Sequence, residues 1–68
     1  MYRTLQAEIA RNGISKKRLA ELLEITEGSL YNKLRSDSRF KYPEKIMICD
    51  VLNWPADDME RLFENEEV

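Results

Sequence analysis

The stretch that most constrains this chain runs from Ser15 to Arg35, Ser-Lys-Lys-Arg-Leu-Ala-Glu-Leu-Leu-Glu-Ile-Thr-Glu-Gly-Ser-Leu-Tyr-Asn-Lys-Leu-Arg. Leu19, Leu22 and Leu23 follow the i, i+3, i+4 spacing of one buried helical face, and Leu30 and Leu34 repeat that spacing after a break. The pattern predicts two short helices joined by a tight turn, with both apolar stripes turned towards one core. Ser15 and Thr26 stand where N-caps are needed, because a hydroxyl there accepts one of the N–H groups that open a helix. Ala20, beside the first stripe, is small enough to let the second helix cross at close range.

The flanks extend the same plan. Tyr2 to Asn12 reads as a first helix with Leu5 and Ile9 one turn apart, and Gly13 is expected to end it in a left-handed conformation that brings Ile14 back against Ile9. Ser36 to Tyr42 is a loop by composition, anchored by Phe40. Pro43 then opens a fourth helix, to Asn53, with Ile46, Met47, Val51 and Cys49 expected to face inward. After the break at Trp54-Pro55, a short helix from Ala56 to about Glu64 carries Asp57 and Asp58 in its first turn and Met59, Leu62 and Phe63 on its apolar side. With 68 residues, the core is near the lower limit for independent folding. The expectation is therefore an all-α, five-helix bundle over residues 1–63 with an acidic tail at 64–68.

Several function classes fall away on residue inventory. The chain has no histidine and one cysteine, so the common general base and metal ligand are missing and no disulfide can form within it. Its two glycines make no phosphate-binding loop. The longest apolar run is Ile46-Met47-Ile48-Cys49, too short for a membrane span. Neither an enzyme, a cofactor, a metal, a small-molecule substrate nor a membrane is expected, and a lone cysteine fits a reducing cytoplasm. Net charge is −2 and the isoelectric point about 5.1, which on its own disfavours an anionic partner. The charge is segregated, however: Arg11 to Lys45 holds nine Lys/Arg against five Asp/Glu, whereas Ile46 to Val68 holds one against seven. Screening over a Debye length of about 8 Å keeps the two ends largely independent.

Lys16, Lys17 and Arg18 lie in the first turn of the second helix, where the helix dipole disfavours cations. Free N–H groups and basic side chains together at such an end make an anion site. On the following helix, with Leu30 and Leu34 as the buried direction, a step of about 100° per residue turns Asn32 almost directly outward. Gly28 and Arg35 fall close to it, with Tyr31 and Glu27 on one flank.

These residues resemble, in order, the lambda-repressor/Cro family of helix-turn-helix domains, in the small form common in phages and Gram-positive bacteria. The resemblance rests on Gly13-Ile14-Ser15, Leu19-Ala20-Glu21-Leu22-Leu23, Ile25-Thr26 and Leu30-Tyr31-Asn32-Lys33-Leu34. Two positions depart from the family pattern: Lys16 replaces the usual glutamine and Glu24 the usual turn glycine. The resemblance implies a repressor-like fold and sequence-specific binding of double-stranded DNA in transcriptional control, of phage or mobile-element type. It implies base reading by Glu27, Gly28, Tyr31 and Asn32, with Asn32 suited to adenine and Glu27 to a cytosine amino group. Phosphate contacts are expected from Lys16, Lys17, Ser29, Lys33 and Arg35, and from Arg39 and Lys41 in the following loop. Trp54, Leu62 and Phe63 offer more apolar surface than a closing helix needs, so a homodimer through them is a further expectation. The alternative function is a protein-interaction module, an antirepressor or adaptor that retains the scaffold; the acidic total and the poor reading chemistry of Glu27 and Gly28 fit it.

Overall fold

A computed structural model describes residues 2–35 and 38–64, and among them every regular element is helical. The order is α1 (Arg3–Arg11), α2 (Lys16–Leu23), α3 (Glu27–Leu34), α4 (Tyr42–Leu52) and α5 (Met59–Leu62), the last preceded by a 3-10 turn at Ala56–Asp58. The all-α, five-helix expectation holds. The fifth helix is shorter than expected because its first turn is the 3-10 segment. Ser36 lies outside the described residues, as does the acidic tail beyond Glu64.

Three of these helices end in one way. Gly13, Glu24 and Asn53 follow α1, α2 and α4 with φ of 67°, 57° and 55°. In each case the next N–H reaches back to the carbonyl five residues earlier, Ile14 to Ile9 at 3.3 Å, Ile25 to Ala20 at 3.1 Å and Trp54 to Cys49 at 2.8 Å. This is the Schellman stop, which satisfies the last free carbonyls and folds an apolar residue back onto its own helix. Gly13 performs it without steric penalty, and Asn53 tolerates it better than most side chains. Glu24 keeps the geometry of a glycine turn at a strain of about 1 kcal/mol. Helix starts follow the sequence equally closely: Ser15 Oγ accepts from Arg18 N–H, and Thr26 Oγ1 from Ser29 N–H, both at 3.1 Å.

The core is built around Leu5, Leu19, Leu30, Ile48 and Leu62, all fully buried, with Ile9, Ala20, Leu34, Cys49 and Leu52 around them. Leu23 is partly buried and packs on its edge. At one end Tyr2, Phe40 and Phe63 meet edge to face, with ring centroids 5.3 to 6.3 Å apart, the arrangement that ring quadrupoles favour. Phe40 is thus the anchor expected of it. Leu62 and Phe63 are committed to this core. Trp54 is half-buried, its indole N–H donating to the Asp58 carbonyl at 2.8 Å and its ring beneath Arg61. The expected homodimer surface at Trp54, Leu62 and Phe63 is therefore corrected: two of its three residues are interior.

α4 also turns differently from the sequence reading. Ile48, Cys49 and Leu52 face the core, whereas Ile46 and Met47 are 38% and 40% exposed. This helix is apolar around most of its circumference, so no stripe marks its inner side. With Tyr42, 68% exposed, Ile46 and Met47 form the main apolar surface of the described residues. Met47 continues into a shallow depression of about 150 Å³, shared with Leu22, Leu23, Glu24, Pro43 and Glu44.

Candidate nucleic-acid interface

The site is assembled from the start of α2, the outward side of α3 and the segment that follows it. Capping by Ser15 fixes where α2 begins, and this leaves Lys16, Lys17 and Arg18 as exposed side chains on its first turn. Capping by Thr26 does the same for α3, placing Glu27, Gly28 and Ser29 on its exposed first turn. The burial of Leu30 and Leu34 then turns Tyr31 and Asn32 to solvent. One contact joins the two helices across the surface: Lys16 Nζ stands 5.8 Å from the Tyr31 ring centroid. A cation placed so is attracted by the ring's quadrupole, which holds the basic end of α2 beside the outward face of α3.

Asn32 and Arg35, three residues apart, are also brought together. Arg35 Nη2 donates to Asn32 Oδ1 at 2.7 Å. Arg35 directly follows α3, and its backbone N–H continues the helical pattern to the Tyr31 carbonyl at 3.0 Å.

Lys33 is a correction. It was expected on phosphate, yet it is 8% exposed. Its ammonium donates to the Arg39 carbonyl at 2.9 Å and pairs with Glu44 Oε1 at 3.1 Å. The physical reason is its position on the flank of the Leu30/Leu34 stripe, where the alkyl stem runs along apolar surface and the charged head must find a carboxylate. Glu44 also accepts from the Lys41 N–H at 2.7 Å, closing the start of α4. Lys33 and Glu44, with the buried Phe40, thus pin residues 39–41 against α3, while the Arg39 and Lys41 side chains remain exposed. Sequence periodicity carried a weak signal of this, since Lys33 is adjacent to the stripe. The carboxylate partner, eleven residues away, carried none.

Gly28 behaves unlike Gly13. Its φ is not in the left-handed region, and a Cβ built on it meets only Thr26 Oγ1, at 3.9 Å. The fold therefore gives this outward-facing glycine no steric reason to lack a side chain, although glycine weakens helices. Glu27, the acid of the first turn of α3, sits where the helix dipole favours it.

Among the described residues, no group of three or more His, Cys, Asp or Glu is placed to hold a metal ion, and no helix is long and apolar enough to cross a membrane. No family model, curated protein or solved structure matches this chain.

Proposed function

We propose that α2 and α3 form a helix-turn-helix of the lambda-repressor/Cro type that binds double-stranded DNA sequence-specifically, in transcriptional control of a phage or mobile element. The observation that carries this reading is the exposed basic first turn of α2 held beside the outward face of α3 through Lys16 and Tyr31. Lys16, Lys17, Ser29, Arg35, Arg39 and Lys41 contact phosphates in this reading, and α3 enters the major groove with Glu27, Gly28, Tyr31 and Asn32 towards the bases. Gly28 adds support, because a helical glycine that its own fold does not require fits close approach by a partner. Binding of a random duplex pool tests the reading: wild type retains DNA at about 50 mM salt, Lys16→Glu loses most of it, and Asn32→Ala keeps affinity while losing sequence preference.

A protein-interaction module is the second reading, and the exposed Tyr42, Ile46 and Met47 on α4 favour it. It predicts no duplex retention at any salt concentration. An apolar contact would also be largely indifferent to salt, unlike phosphate binding.

A further inference from the structure

We infer that Asn32 and Arg35 act as a single hydrogen-bond-donor unit that selects guanine, in place of the adenine that an asparagine alone would select. The inference rests on the DNA-binding reading and specifies what its central position reads.

The argument begins with the 2.7 Å contact from Arg35 Nη2 to Asn32 Oδ1. A guanidinium has donors only, so the amide atom facing it must be the oxygen. That fixes which way the Asn32 amide points without reference to any other neighbour. Both residues are exposed, and they lie one helical turn apart on the outward side of α3. To read adenine, asparagine must accept from N6–H with its oxygen while giving Nδ2–H to N7. Here the oxygen is held by Arg35, and an adenine amino group brought to it would also meet guanidinium N–H groups, donor against donor. What the pair offers a base edge is Nδ2–H together with N–H groups of the guanidinium. Guanine presents two adjacent acceptors in the major groove, N7 and O6, and is the base edge that matches two donors. Arg35 thereby moves from a phosphate role to the base edge, with Asn32 holding its guanidinium in plane.

The test is sequencing of duplexes retained from a random pool by wild type, Arg35→Ala and Asn32→Ala, each checked for native helicity by circular dichroism. Wild type should enrich guanine at one position by roughly 5- to 150-fold over adenine, the discrimination of a good bidentate pair. Arg35→Ala should shift that position to adenine, because Oδ1 is released. Asn32→Ala should weaken the guanine preference with no shift to adenine. Adenine enrichment by wild type, or an unchanged guanine preference in Arg35→Ala, overturns the inference while leaving DNA binding intact. Failure of wild type to retain any duplex overturns the DNA-binding reading itself, and the inference with it.

Discussion

Gly28→Ala separates what the fold needs from what a partner needs. A Cβ at this position makes one ordinary contact, 3.9 Å to Thr26 Oγ1, and requires no backbone adjustment. The substitution should therefore gain the helix propensity that glycine forfeits. Because Gly28 is in the first turn of α3, the gain should be about 0.5 kcal/mol, the lower end of the glycine-to-alanine range. In a domain of this size that raises the melting temperature by about 2–4 °C. Against DNA the sign reverses. A methyl group forced into a close-packed contact typically costs about 1–3 kcal/mol, or roughly 5- to 150-fold in affinity. Thermal melts by far-UV circular dichroism and duplex titrations by fluorescence anisotropy measure the two effects on one protein. A fall in melting temperature would refute the steric reasoning. A more stable variant that binds duplex as tightly as wild type would show that nothing approaches α3 at Gly28.

Glu24→Gly should stabilise the protein by about 0.5–1 kcal/mol, since relief of the left-handed strain exceeds the added freedom of the unfolded chain; a lower urea midpoint would contradict this. Gly13→Ala is its mirror, with no atom in the way of the new Cβ, so a loss of about 1 kcal/mol there reports backbone strain alone. Lys33→Ala should lose about 3 kcal/mol by leaving Glu44 buried without its cation, and a loss below about 0.5 kcal/mol, usual for an exposed site, would return Lys33 to the surface. Burial pushes the Cys49 thiol above the usual thiol range. The unfolded thiol ionises first as pH rises, so this group's stabilisation is complete below the unfolded pKa and is lost as pH rises through the folded one. Thiol-modification rates at alkaline pH should accordingly be far slower in the native protein than in urea, and equal rates would refute the burial.

The parts of this fold that were legible from sequence are those written in local chemistry. Ser15 and Thr26 cap where their hydroxyls precede an apolar run, and Gly13 returns Ile14 to Ile9 because spacing alone puts them at the two contact positions of the stop. What was illegible depended on tertiary choice. In α4, the run Ile46-Met47-Ile48-Cys49 offers apolar residues in nearly every direction, and contact with the rest of the core selects Ile48 and Cys49. Lys33 looks like a surface cation until Glu44 is brought to it across the loop. Leu62 and Phe63 looked surplus because the sequence does not reveal that Tyr2 and Phe40 complete an aromatic cluster with Phe63. At the candidate interface, helical geometry correctly turned Tyr31 and Asn32 outward, while the pairing of Asn32 with Arg35 required the folded helix end.

The central claim is that the exposed cations around α2 and α3 meet the DNA backbone, and the salt dependence of duplex affinity tests it most directly. If about three to five of Lys16, Lys17, Arg18, Arg35, Arg39 and Lys41 each neutralise a phosphate, the logarithm of the binding constant should fall against that of salt with a slope of about −3 to −5. That is a loss of roughly 10² to 10³-fold between about 50 and 200 mM salt. Lys16→Glu should bind more weakly and flatten the slope by about one or more. A duplex affinity that does not change over this range, or none at about 50 mM, would contradict the claim and leave α2 and α3 as a scaffold for the apolar face of α4.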